Sequence, residues 1–228
     1  MHERLKEKVL EANLDLVKHQ LVVLTWGNAS ERDPETGHIV IKPSGVPYER
    51  MTPDHMVVLD ADGNRLEGEL KPSSDAPTHV ILYKHFTGVG GLVHTHSEWA
   101  TSWAQAGRPL PPYGTSHADH FYGAVPCTRA LTKDEVEGDY EANTGKVIVE
   151  CFQDIDYMSM PGVLVHGHAP FTWGRDGAEA VQNSVVLEEV AKMAFRTQVL
   201  GNQDPIEQFL LDKHYLRKHG KDSYYGQK

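Results

Sequence analysis

Apolar residues in this chain come in short runs of about four residues or fewer, several of them leading into turns rich in glycine, asparagine or serine. None approaches the roughly 18 apolar residues that a membrane-spanning helix needs. A chain punctuated in this way must pair short strands to bury its backbone. Segments 21–30 (LVVLTWGNAS) and 38–45 (HIVIKPSG) read as strands that end in turns. Segment 56–68 (MVVLDADGNRLEG) sets an Asp-Gly turn between apolar stretches, which predicts a hairpin. Further strands are expected at 91–97 (GLVHTHS), 146–152 (KVIVECF) and 162–174 (GVLVHGHAPFTWG), the last as a bent hairpin. Helical patterns lie between them. Leu5, Val9, Ala12 and Leu16 recur at helical spacing over residues 2–19. Pro77 sits in the first turn of a helix over 76–86, and Ser97 opens one over 97–107. The capping-box pattern TKDE at 132–135 starts another. A long helix is expected over 177–200, with Val181, Val185, Leu187 and Val190 on its apolar face, and a final one over 205–219. Interspersed strands and helices with hairpins predict an α/β fold: one domain over 1–228, its mainly antiparallel central sheet covered by helices.

At 228 residues the chain can enclose one full core, and two would be cramped. The formal charge of −10 disfavours nucleic acid as a partner, because that affinity depends on cations neutralising phosphates. The first segment is charged throughout and is not expected to be a secretory signal, so a cytoplasmic protein is expected. Cys127 and Cys151 form no C-x-x-C pair and are expected to be reduced core thiols. The unusual count is fourteen histidines.

Four of them fall in two H-x-H elements at predicted strand ends, His94 with His96 and His166 with His168. Alternation along a strand turns both imidazoles of a pair to one face. Two histidines from one strand and one from the other make a three-nitrogen set with positions left open, as in catalytic zinc sites. A single such histidine would read as a hydrogen-bonded core side chain; two elements together favour a metal. Gly27-Asn28, Pro43-Ser44-Gly45 and Ser73-Ser74-Asp75 are loops of small residues whose hydroxyls and N–H groups suit an anion such as phosphate. Lys42 and Lys71 add positive charge beside two of them. Each loop alone is an ordinary turn, and Asp75 alone an ordinary helix N-cap. The segment HADHFYG at 117–123 and the tyrosines 224 and 225 carry polar groups with no role assignable from spacing.

Taken together, VLEANLDLVKH, TWGN, IKPSG, KPSSDAPTH, GLVHTHSEWATSWAQAG, SHADHFYG, PGVLVHGHAPFTWG, VVLEEVA and LLDKHYLRKHG with the YYGQ ending form a wider pattern. It resembles the class II aldolase/adducin-type family over nearly the whole chain, and within it the branch of sugar-phosphate 4-epimerases. By this resemblance the metal ligands fall on His94, His96 and His168, with Asp75 grouped at the metal site and His166 a neighbour. Aldolases of the family carry an acid/base glutamate where this chain has Asp75, and the epimerases carry aspartate. Gly27, Asn28, Ser44, Gly45, Ser73 and Ser74 are implied to bind the substrate, mainly its phosphate. Asp119 and Tyr225 match the acid/base pair that a neighbouring subunit contributes, so that the tail 220–228 completes a neighbouring active site. The implied assembly is a homotetramer with active sites at its subunit interfaces. Ser116 stands where threonine is usual, a departure that touches no assigned role.

The activity so implied is the interconversion of L-ribulose 5-phosphate and D-xylulose 5-phosphate by breaking and remaking the C3–C4 bond, with L-arabinose breakdown as the expected setting. Simple deprotonation cannot do this, since the C4 hydrogen is not next to the carbonyl. A divalent metal is implied, zinc first, with manganese or cobalt also suited to histidines. No G-x-G-x-x-G is present to bind a nicotinamide. The expected partners are a small sugar phosphate and further copies of the chain, with no nucleic acid and no membrane. The alternative is an aldolase that releases both fragments of a fuculose- or rhamnulose-type phosphate. An adducin-like assembly module would need no open metal site, so the three histidines oppose it.

Overall fold

The short apolar runs pair into a single sheet. The computed structural model describes residues 2–201 and 204–225. In chain order it contains α1 (Glu3–Lys18), β1 (Asn28–Arg32), β2 (Ile39–Ile41), β3 (Val57–Leu59), β4 (Arg65–Glu67), α2 (Ala76–His85), β5 (Gly91–His94), α3 (Glu98–Gln105), α4 (Thr115–Ala118), α5 (Lys133–Glu137), α6 (Tyr140–Cys151), β6 (Gly162–Leu164), β7 (Pro170–Gly174), α7 (Gly177–Val199) and α8 (Gln208–His219). The strand order is β4-β3-β2-β1-β5-β7-β6, and every neighbouring pair is antiparallel. The expected α/β architecture, an antiparallel sheet under helices, is therefore found.

Both faces of the sheet are covered along most of its strands, which explains why β2, β3, β5, β6 and β7 are buried along their length without alternation. Ile39, Ile41, Val57, Leu59 and Leu92 join the large core with Leu82 of α2 and Ile148 of α6. Val40 and Val58 pack with Val9 of α1, and Val93 packs with Leu16 and Val181. Leu92 and Val93 are adjacent, face opposite ways and are both fully buried. Burying each contributes about 1.5–3 kcal/mol. Gly91 lets α7 start hard against β5, since a Cβ there would lie 2.2 Å from the Asp176 carbonyl.

The hairpin forms as its Asp-Gly turn predicts. Asp60 Oδ1 accepts from the N–H groups of Asp62 and Asn64, both at 2.8 Å, and Gly63 takes φ +89°. The capping box also forms, with Thr132 accepting from the Glu135 N–H and the Glu135 carboxylate accepting from that of Thr132.

Two strand expectations fail. In 21–30 only the part from Asn28 is strand, because Leu24 and Gly27 turn into the left-handed region at φ +54° and +75° and break the extension. Segment 146–152 is the end of helix α6. Its β-branched residues are overridden by packing: Thr144, Val147 and Ile148 are buried on one helical face. Gly145 brings α6 close to α2, where a Cβ would lie 2.9 Å from that of Ile81. The last helix begins at Gln208 instead of 205. Cys127 and Cys151 are free and half-buried. Among the described residues no helix is long and apolar enough to cross a membrane.

Candidate active site

Strand register assembles the site. Asn28 opens β1 and lies directly across the ladder from His94, the last residue of β5, while His94 pairs on its other side with Phe171 of β7. His96 follows two residues on, and His168 comes from the β6–β7 connection. The ligand nitrogens of His94, His96 and His168 all lie within 4.8 Å of one another. His94 Nε2 and His96 Nε2 are 3.1 Å apart. Two nitrogens on one tetrahedral ion, bound at about 2.0–2.1 Å each, would stand about 3.3 Å apart, so the set fits a small divalent cation. His94 Nδ1 donates to the Pro170 carbonyl at 3.0 Å. That bond turns Nε2 inward as the free acceptor. Burial, followed by the charges of His94 and His96, holds His168 down to about 4, so it is neutral at pH 7 with a lone pair for a metal.

The other H-x-H candidate separates cleanly. His166 is exposed, and a Cβ on Gly107 would sit 2.6 Å from its Nε2. It stands outside the cluster.

The three histidines line a cavity of about 490 Å³. Gly27, Asn28, Ser44, Gly45, Ser73, Ser74 and Asp75 line the same cavity. Ser73 and Ser74 lie just before α2; the N–H groups of Ser73, Asp75 and Ala76 already have acceptors, so the serine hydroxyls are what this end of the helix offers an anion. Asn28 Nδ2 donates to Asp75 Oδ2 at 2.7 Å and to Ser73 Oγ at 3.0 Å. Asp75 is therefore drawn toward Asn28 and is not in the group that closes on one point. Burial pushes its carboxyl up, but His94, His79 and the Asn28 bond outweigh this, and the net shift is downward.

Lys42 also lines the cavity, although it is almost wholly buried. Its Nζ donates to the Thr25 and Pro43 carbonyls at 3.2 and 3.4 Å and lies over the Tyr48 ring. Thr25, Trp26, Tyr140 and Glu141 complete the lining. Sequence reasoning assigned none of these four a role. Tyr140 and Glu141 open α6, whose second half was read as a strand, so no periodic signal marked them.

Asp119 and Tyr225 form a second cluster that does not line this cavity. Asp119 follows α4 and is gripped by α8. Arg217 Nη2 donates to both carboxylate oxygens at 3.0 Å, and His214 Nδ1 and Lys218 Nζ lie 3.0 and 3.4 Å away. Burial raises the Asp119 carboxyl, and Arg217, His214 and Lys218 more than reverse this. Tyr225 is exposed, its ring against Arg217 and Lys218 at 4.9 and 4.6 Å. Residues 226–228 of the tail lie outside the described residues.

Two buried histidines outside the cluster add to the acid sensitivity of the fold. His79 Nδ1 bonds Ser30 Oγ at 2.7 Å and His117 Nε2 donates to the Gly123 carbonyl at 2.7 Å, while the other nitrogen of each has no partner. Burial lowers both from 6.5 to about 4. The unfolded chain takes up these protons near 6.5 and the folded chain only near 4, so stability falls as pH drops through that window. Denaturant unfolding at pH 5 against pH 7.5 should show a loss on the order of 2 kcal/mol for each group. A His79→Gln/His117→Gln double variant should reduce that dependence by the share of these two groups, leaving that of the histidine cluster. An unchanged slope in the double variant would assign the effect elsewhere.

With fold and site described, relationship can be stated. Residues 7–195 match the model of the "Class II Aldolase and Adducin N-terminal domain". The chain belongs to the class II aldolase and adducin family. It is 52% identical to the L-ribulose-5-phosphate 4-epimerase UlaF of Salmonella paratyphi C (strain RKS4594), over 99% of this chain and 100% of the relative. The same figures hold for UlaF of Salmonella typhi. Among solved structures, an L-fuculose 1-phosphate aldolase superposes with a TM-score of 0.79 at 24% identity, covering 92% of this chain and 94% of the other. That likeness concerns the fold.

Proposed function

We propose that this chain is a cytoplasmic, homotetrameric L-ribulose-5-phosphate 4-epimerase that uses a divalent metal, Zn2+ first. One observation carries the reading: a three-histidine cluster and a set of hydroxyl- and amide-bearing loops share one cavity. The two groups suit the carbonyl and phosphate parts of a ketopentose phosphate. His94, His96 and His168 would hold the ion. When bound, such an ion would supply Lewis acidity toward the negative charge that develops beside the carbonyl as the C3–C4 bond breaks.

The chain's own groups do the rest. Gly27, Asn28, Ser44, Gly45, Ser73 and Ser74 grip the phosphate, and Lys42 adds a fixed positive charge beside them. This grip keeps the C4–C5 fragment, glycolaldehyde phosphate, in place while its aldehyde rotates. Asn28 ties the loop that holds the phosphate to Asp75, which stands beside the ion site as a fixed negative charge. Cleavage removes the proton of the C4 hydroxyl, and readdition on the opposite face returns it to the new alkoxide. The two faces need two acid/base groups, and Asp119 and Tyr225 of a neighbouring subunit fill those places. The cavity recognises the sugar phosphate and not its origin, so no residue speaks for the L-arabinose setting.

A coupled assay for D-xylulose 5-phosphate from L-ribulose 5-phosphate tests this. Activity should vanish with a chelator and return with Zn2+, Mn2+ or Co2+. Release of free glycolaldehyde phosphate as the main product would replace the epimerase with an aldolase.

A further inference from the structure

Tyr140 is the first residue of α6 and lines the cavity. Its hydroxyl oxygen lies 3.4 Å from His168 Nδ1, and the two rings are 6.1 Å apart at 41°. The tyrosine is firmly placed. Thr144 donates its hydroxyl to the Tyr140 carbonyl at 2.9 Å, and Thr78 of α2 donates to the neighbouring Glu141 carbonyl at 2.6 Å. Gly145 then seats α6 against Ile81. The helix that follows Asp75 thus fixes the start of α6, from which the Tyr140 side chain reaches His168.

The ring nitrogens must be accounted for in pairs. A histidine that gives Nε2 to a metal carries its proton on Nδ1, and that proton needs an acceptor. For His94 the acceptor is the Pro170 carbonyl. His168 comes from an exposed turn, with Gly167 at φ +71°. Such a turn allows the ring more than one orientation unless something holds it.

We propose that Tyr140 is a positioning residue for the ion site: its hydroxyl oxygen accepts the Nδ1 proton of His168 and so turns Nε2 toward His94 and His96. This rests on the reading of the three histidines as metal ligands. The phenol is preferable to a carboxylate here because it stays neutral and adds no charge to a cavity that already contains Asp75.

The test uses full-length Tyr140→Phe beside the unchanged protein and His168→Asn. Each is stripped of metal, then titrated with Zn2+ against a competing chelator and with Co2+ followed by its visible absorption. Tyr140→Phe keeps the ring, so the metal-free variant should unfold like the parent. It should still take one ion per chain, with affinity lowered about 10- to 100-fold, and its Co2+ spectrum should shift. Turnover should largely recover at saturating metal, whereas His168→Asn should not recover. Parental affinity and an unshifted spectrum in Tyr140→Phe would overturn the assignment of Tyr140 and leave the histidine site standing. Absence of ion binding in the unchanged protein would instead overturn the histidine site, and this proposal with it.

Discussion

Tyr225→Phe is expected to lower epimerisation by about 10²–10⁴-fold, the range for loss of a positioned acid/base group. Neither fold nor ion binding should change. The Tyr225 ring is exposed and touches Arg217 and Lys218 through its face, a contact that phenylalanine keeps. Removing one exposed hydroxyl should therefore alter stability by less than about 0.5 kcal/mol. The decisive measurement is turnover in both directions on metal-loaded protein. A variant that retains parental turnover would remove Tyr225 from the acid/base pair. A variant that is slow in one direction at single turnover would show which face the tyrosine serves.

His94→Asn should be equally severe through a different step. The asparagine amide can still donate to the Pro170 carbonyl, as His94 Nδ1 does at 3.0 Å. What disappears is Nε2, the nitrogen 3.1 Å from that of His96. Losing the ion removes several kcal/mol of charge stabilisation, which corresponds to at least about 10³ in rate. Some stability should also go, on the order of 1–3 kcal/mol, because His94 stacks on Phe171 with ring centres 4.2 Å apart. The variant should stay folded and bind little zinc. Chelator-sensitive turnover within tenfold of the parent would mean that the ion sits elsewhere.

The histidines were legible because strand alternation puts residues two apart on one face, which holds for His94 and His96. The choice between His166 and His168 was not available from spacing. It depends on how the turn at Gly167 is wound, and a turn's winding depends on what packs beside it. Here Gly107 makes room for the His166 ring on one side. The phosphate-suited loops were visible as small-residue turns, but their convergence was not. It follows from the Asn28–His94 register, a pairing of residues far apart in the chain. The misread strand at 146–152 has the same origin. Its valines and isoleucine have the local preference for a strand, and the packing of α6 on α2 overrules it. Tyr140 stayed hidden behind that error.

The anchoring of Asp119 by α8 has a consequence for how such a chain can be altered. Every side chain that grips the Asp119 carboxylate, and Tyr225 as well, comes from the stretch after residue 208. The cleavage machinery proposed for the cavity comes from residues before 169. The family model ends at 195, short of α8. On the proposed reading, the groups that hold the ion and the phosphate thus lie in one stretch, whereas Tyr225 and every anchor of Asp119 lie in the other. The closing segment is then a cassette: replacing it would spare the seats of ion and phosphate and rewrite only the proton handling at the C4 oxygen.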